Sequence, residues 1–149
     1  MSLQNKITDD IKSAMRSRSV DQLAALRNVK TEITLELTKD GSKVLSDKIV
    51  MNIILRLIKQ RRDAANIYNQ QGRKDLADDE MKQLVFLEKY LPEQMNDQEV
   101  RKVVKDVLNQ LGATNLTDLG KCMGLLMNKL KGRADGSLIS QILREELTR

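Results

Sequence analysis

The chain has 149 residues and a formal net charge of +5, with 40% hydrophobic and 32% charged residues. This composition is typical of one ordinary or two small soluble domains and excludes a disordered chain. Because there are two tyrosines, one phenylalanine, no tryptophan and one proline, the core must be aliphatic, and we predict an all-α fold.

The first two helices follow from apolar spacing and a cap. Apolar residues recur at helical spacing over residues 3 to about 17, which predicts the first helix. A capping box of Ser19 with Gln22 begins the second helix, which runs through Leu37. Residues 38–45 contain an Asp-Gly-Ser turn and are expected to form the most exposed loop.

Two more helices are predicted before the proline. Ser46 caps the longest helix, which ends at Gly72 because glycine readily takes the left-handed conformation. The fourth helix begins near Asp75, where the helix dipole favours a negative charge, and ends before Pro92. These four helices predict a first domain over residues 1–92.

A smaller three-helix domain is predicted over residues 93–149. Its helices are expected at 97–111, 118–130 and 136–147, since each of these stretches has one apolar face. The first of them starts at a capping box, and Asp135 is the expected cap of the last one.

The stretch from Gly120 to Gly136 holds four of the seven glycines. Gly120 and Gly124 share a helical face, which predicts the close approach of another backbone. The helix then ends in positive charge, so we expect this segment to contact a ligand or a partner. The cations in it are Lys121, Lys129, Lys131 and Arg133.

A second set of cations follows the polar side of the longest helix. It consists of Arg56, Lys59, Arg62 and, beyond the helix end, Arg73. Such a row fits contact with RNA phosphates, but it also fits a solvated face with intrahelical partners such as Asp63 for Lys59. For the cations before Gly136 the alternative role is compensation of the helix dipole.

The residue types offer little for catalysis. Histidine is absent, which removes the usual general base, the commonest metal ligand and any imidazole triad. The single Cys122 excludes an internal disulfide and a thiolate zinc site, is expected to be buried and inert, and fits a reducing, cytoplasmic location. No segment is apolar enough to span a membrane. We predict no catalytic residue, metal or cofactor.

Two groups of carboxylates have both a chemical and a structural interpretation. The acidic group within residues 75–80 could perform acid-base work, yet acidic residues at a helix start are favoured by the dipole alone. Glu32 and Glu36 lie one helical turn apart, as in di-metal bundles, but the Glu-x-x-His element of those proteins is missing. The structural interpretation is favoured for both groups.

Five separated motifs resemble the YqeY-like protein family, in the order that the family has them. They are Lys59-Gln-Arg-Arg-Asp63, Gly72-Arg73-Lys74-Asp75-Leu76-Ala77, Leu87-Glu-Lys-Tyr-Leu-Pro92, Gly120-Lys-Cys-Met-Gly124 and Lys131-Gly-Arg-Ala-Asp-Gly136. Members of this family are similar to the C-terminal helical and tail region of the B subunit of the tRNA-dependent amidotransferase, which amidates mischarged tRNA. The resemblance implies two helical domains, of four helices and then three.

The resemblance implies tRNA binding rather than catalysis. In the amidotransferase the kinase and transamidation chemistry belongs to a separate N-terminal part, and the tail contributes tRNA binding. The matching turn of that tail is rich in lysine and glycine, which makes Lys129, Lys131 and Arg133 the best contact candidates. A label of carbon–nitrogen ligase with glutamine as amido donor would rest on homology alone.

Three functions compete on the sequence alone. The leading one is a non-catalytic module that binds tRNA by shape and phosphate contacts, since the scarcity of aromatic residues disfavours stacking on single strands. The second is a protein-interaction module that docks on an aminoacyl-tRNA synthetase or an amidotransferase. The weakest is a stand-alone amidotransferase, which needs an ATP site and an ammonia source that these residues do not supply.

Overall fold

The structure, a computed structural model, describes residues 2–149, and of Asp40 it describes the backbone alone. Seven α-helices and no β-strand occur in this part, which confirms the all-α prediction. A short 3₁₀ turn, Leu116–Asp118, precedes the sixth helix. The helices are α1 (Leu3–Ser17), α2 (Val20–Asp40), α3 (Asp47–Gln70), α4 (Lys74–Glu88), α5 (Asp97–Leu111), α6 (Leu119–Leu130) and α7 (Gly136–Leu147).

The chain divides into two compact units. The N-terminal unit ends at Tyr90 and contains α1 to α4, whereas the C-terminal unit runs from Leu91 to Arg149 and contains α5 to α7. The division therefore falls just before Pro92, the residue that cannot continue a helix.

The N-terminal unit is built around an aliphatic interior. In it α3 packs against α4 and α1 against α2, and α2 also contacts α3 and α4. Burial of one such side chain contributes about 1.5–3 kcal/mol to stability. The largest fully buried side chains here are Ile7, Leu26, Val29, Val50, Ile54, Leu57 and Leu87.

One hydrogen bond joins the first helix of the N-terminal unit to its last residue. Tyr90, which follows α4, donates its hydroxyl to Asp10 on α1. Partial burial, together with this carboxylate, raises the pKa of Tyr90 above its ordinary value. The phenol therefore stays protonated and keeps donating at neutral pH.

Two local features of the N-terminal unit differ from the sequence prediction. Ser19 precedes α2 but makes no side-chain cap hydrogen bond, so the expected capping box is absent. Helix α2 continues past its predicted end to Asp40 and stops at Gly41, which has a left-handed φ of 73°. The loop that follows is anchored, because Leu45 is buried and its N–H donates to the Gln4 side chain at 2.8 Å.

The C-terminal unit has its own core, around which α5, α6 and α7 pack pairwise. Two predicted caps are present in it. The Asn96 side chain accepts the Glu99 N–H at 2.9 Å to begin α5, and the Asp135 side chain accepts the Ser137 N–H at 3.3 Å to begin α7. Its fully buried residues are Val100, Val104, Val107, Cys122, Leu126, Ile139 and Leu143.

Within the described chain, no other backbone makes the close approach that was predicted at Gly120 and Gly124, and an approach by a partner stays a prediction. Both glycines are exposed, and a Cβ added to either would meet no heavy atom of the described chain within 4 Å, its own helix backbone and neighbours aside. Helix α6 buries Cys122, Leu126 and Leu130 instead. The four-residue spacing does place the two glycines on one face, but that face is turned to solvent.

A pair of glycine substitutions distinguishes the backbone roles in this unit. Gly132 is buried and has a left-handed φ of 79°. Gly132→Ala should lower the free energy of unfolding of the protein by about 1–2 kcal/mol, because a left-handed backbone strains an L residue. The control Gly124→Ala, in open helical space, should gain up to about 1 kcal/mol. Urea unfolding followed by circular dichroism measures both, and effects of the same sign would contradict these roles.

Candidate nucleic-acid interface

Residues 131–135 connect α6 to α7, and this α6–α7 turn is tied to the segment that precedes α5. The Met95 N–H donates to the Arg133 carbonyl at 2.9 Å, and the Gln94 side chain donates to the Gly132 carbonyl at 2.6 Å. In the other direction, Nε of Arg133 donates to the Glu93 carbonyl at 3.4 Å. Three contacts with one short segment therefore fix the backbone of the turn and one of its side chains.

The turn is also closed onto the helix before it. The N–H groups of Arg133 and Ala134 both donate to the Leu130 carbonyl, at 2.9 and 3.2 Å. Leu130 itself is buried in the core of the unit. The turn is thus anchored at its start by the buried Leu130, and its middle is hydrogen-bonded to the segment before α5.

The cations at the turn are exposed and not neutralised. Lys129, Lys131 and Arg133 lie at the surface, and none of them takes part in the ion pairs found among residues 2–149. Lys129 lies in the last turn of α6, where a cation also complements the helix dipole. Asp135 is occupied as the cap of α7 and does not pair with them.

Most of the cations predicted along α3 are engaged by carboxylates. The ion pairs are Arg56 with Glu32 of α2 at 2.9 Å, Arg62 with Glu88 of α4 at 3.0 Å, and Arg73 with Asp75 at 3.3 Å. Exposed pairs of this kind contribute at most about 1 kcal/mol each, yet they offset the charge that a phosphate would otherwise attract. Lys59 is exposed, and a pair with Asp63 is not among the ion pairs of the described chain.

The eight predicted cations are divided between the two units. Arg56, Lys59, Arg62 and Arg73 are in the N-terminal unit, and the other four are in the C-terminal unit. Within the latter, Lys121 is exposed in the first turn of α6, roughly 12 Å along the helix axis from Lys129. Lys129, Lys131 and Arg133 are therefore the three that lie within five residues of one another, at the end of α6 and in the turn after it. RNA contact by any of the eight stays a prediction.

Three of the groups that were considered for catalysis have structural roles: Cys122, Glu32 and Asp75. Cys122 is buried, as predicted, and burial raises the pKa of its thiol, which makes it a poor nucleophile. Glu32 is paired with Arg56, and the hydrogen bond from Arg73 lowers the pKa of Asp75. Across residues 2–149 no three His, Cys, Asp or Glu side chains cluster as a metal site would require. In the same range no helix is both long and apolar enough to span a membrane.

Arg61 was not among the residues predicted from the sequence, although it lies inside one of the family-like motifs. Among residues 2–149 it is the one charged residue that is buried as a whole residue, with 7% of its surface exposed. The guanidinium donates to the Gln83 side chain at 3.1 Å and to the Leu57 carbonyl at 3.5 Å. With the Asn28 amide oxygen turned toward it, that oxygen accepts from both Nη atoms, at 3.3 and 3.1 Å.

The burial of this guanidinium costs folding free energy. Among the residues that the structure describes, its acceptors are all neutral and its Nε has no partner. Burial lowers its pKa, an effect that Glu80 partly opposes. A charge removed from water without a paired carboxylate costs several kcal/mol before hydrogen bonds offset it. The signal was present in the sequence, because Arg61 occupies the apolar stripe of α3 four residues after Leu57 and four before Ala65.

Substitution of the two adjacent arginines tests these assignments. Arg61→Ala should lower the free energy of unfolding by about 2–3 kcal/mol. It leaves a cavity, and it removes the guanidinium that donates hydrogen bonds to the side-chain oxygens of Gln83 and Asn28. Arg62→Ala is the matched control, and it should cost less than about 1 kcal/mol because its pair with Glu88 is exposed. Denaturant unfolding measures both variants, and losses of equal size would contradict the buried role of Arg61.

Comparison with known proteins finds one matching family model and two similar proteins. The family model described as Yqey-like protein matches residues 4–147. The chain is 28% identical over 143 residues to altered inheritance of mitochondria protein 41, mitochondrial, of Pyrenophora tritici-repentis, a match that covers 94% of this chain and 78% of that protein. It is 32% identical over 57 residues to the E subunit of the glutamyl-tRNA(Gln) amidotransferase of Methanobrevibacter smithii, a match that covers 36% of this chain and only 9% of that protein.

Proposed function

Since this chain belongs to the YqeY-like protein family, we propose that it is a non-catalytic accessory module that binds tRNA. Its relation to amidotransferase subunits is supported by the family and by the partial similarity to the Methanobrevibacter protein. The observation that carries the proposal is the group of exposed cations Lys129, Lys131 and Arg133. They form no ion pair with a described carboxylate, and they flank or belong to a turn that is tied down by hydrogen bonds.

Backbone phosphate is the part of tRNA that this surface suits. Phosphate contacts need cations and supply most of the affinity of a protein that does not read bases. Stacking on unpaired bases needs aromatic side chains, of which the chain has two tyrosines and one phenylalanine. The start of α7 cannot serve as the anion site, because the Asp135 carboxylate already occupies it. The contacts therefore come from the cationic side chains.

The salt dependence of tRNA binding tests the proposal. Replacing Lys129, Lys131 and Arg133 together by alanine should weaken tRNA binding at least tenfold and reduce the slope of log K against log salt by about two to three, since each phosphate contact releases counterions. Fluorescence anisotropy with labelled tRNA over a range of salt concentrations gives both quantities.

The control variant removes the same number of charges from the N-terminal unit. Replacing Arg56, Lys59 and Arg62 by alanine should change the affinity and the slope much less, because two of these cations are already paired. Equal losses for the two variants would reject the turn as the main contact. Affinity that is unmeasurable at low salt, or that is the same for any polyanion, would reject tRNA binding itself.

A second function is docking on an amidotransferase. The observation that favours it is the 57-residue similarity to a component of such an enzyme. Recovery of one stoichiometric amidotransferase or synthetase partner from nuclease-treated extract, without any tRNA affinity of the isolated chain, would select this function over RNA binding. In either case we place the protein in the cytoplasm, a reducing compartment in which a single buried thiol is stable; the name of the Pyrenophora relative assigns that protein to mitochondria.

A further inference from the structure

One hydrogen bond to a backbone carbonyl orients the exposed guanidinium of Arg133. Its Nε donates to the Glu93 carbonyl at 3.4 Å, while the carboxylate of Glu93 forms no ion pair with it. Within residues 2–149 neither Nη1 nor Nη2 of Arg133 has an acceptor, and the side chain is exposed. One edge of the planar group is therefore used for orientation, and the other donors are available.

We propose that Arg133 is a pre-oriented phosphate fork and that Gln94 is the residue that positions it. This inference rests on the proposed function, and the group bound is a nucleic-acid backbone phosphate. A guanidinium donates two parallel N–H groups to two oxygens of one phosphate, which a lysine ammonium cannot reproduce. Because Nε is already engaged, less side-chain freedom is lost on binding than for a freely rotating arginine.

Gln94 positions the fork through the segment that it ties down. Its side-chain amide donates to the Gly132 carbonyl at 2.6 Å and to the Pro92 carbonyl at 2.9 Å, so it spans the turn and the residues before α5. The Met95 N–H donates to the Arg133 carbonyl at 2.9 Å in the same place. Together these bonds keep the Glu93 carbonyl, which lies between Pro92 and Gln94 in the chain, within reach of Nε.

Lys131 makes no comparable contact. It is exposed beside Gly132, and the structure gives its ammonium no acceptor among the described residues. It contributes charge to the surface, whereas Arg133 contributes charge and a fixed direction. The two residues are therefore predicted to respond differently to substitutions that keep the net charge constant.

Charge-conserving variants test the fork. Arg133→Lys should weaken tRNA binding by about tenfold with an unchanged salt slope, because the charge remains and the bidentate contact is lost. The swap variant, Lys131→Arg with Arg133→Lys, has the composition and net charge of the native chain and should bind as weakly as Arg133→Lys alone. Lys131→Arg by itself should stay within about twofold of the native affinity.

A double-mutant cycle tests Gln94. Gln94→Ala should weaken tRNA binding by about threefold in the native background and have no further effect in the Arg133→Lys background, because a positioning residue acts only through the group that it positions. Amide hydrogen exchange at Met95 should become faster in Gln94→Ala. Circular dichroism and thermal unfolding establish that each variant is folded.

The possible outcomes separate this inference from the proposed function. If the native chain binds tRNA and Arg133→Lys or the swap variant binds equally well, the fork is rejected and tRNA binding stands. If the effects of Gln94→Ala and Arg133→Lys are additive, or if Gln94→Ala alters neither affinity nor exchange at Met95, the positioning role is rejected. If the native chain has no measurable affinity for tRNA at low salt, the proposed function and the inference are both rejected.

Discussion

The hydrogen bonds from Gln94 and Met95 to the carbonyls of Gly132 and Arg133 are the constraint on which the candidate surface depends. A short connection between two helices is ordinarily among the most mobile parts of a small domain. Here its carbonyls accept hydrogen bonds from the segment before α5, and its N–H groups donate back to α6. Charged side chains on such a turn project from a fixed backbone. Binding therefore costs less conformational entropy than it would on a mobile loop.

Within residues 2–149, each unit contains some cations that are paired with carboxylates and others that are not. In the N-terminal unit, arginines on α3 are neutralised by carboxylates on α2 and α4, and the buried Arg61 is satisfied mostly by neutral amides. In the C-terminal unit, Arg101 is paired with Glu145 and Glu146, whereas Lys129, Lys131 and Arg133 have no such partner in the described part of the chain. A net charge of +5 permits contact with RNA without selecting a surface, so we expect local, unpaired charge to decide where a polyanion would bind.

Much of the fold could be predicted from the sequence, because caps and glycines mark helix ends directly. Asn96, Asp135 and Gly112 are examples in which one residue type has one local role. Spacing alone could not show that the face shared by Gly120 and Gly124 is turned to solvent, since this depends on which other residues the helix buries. The pairing of Arg56 with Glu32 likewise joins two helices, and only the packed structure brings them together. Arg61 was predictable from its place in the apolar stripe.

The most direct test of the account is chemical crosslinking of the native protein to tRNA, with the modified residues located by mass spectrometry. The account predicts crosslinks at Lys129 and Lys131 in the C-terminal unit, which high salt suppresses. Crosslinks confined to the α3 cations, such as Lys59, or a complete absence of crosslinks under conditions in which tRNA binds, would contradict it.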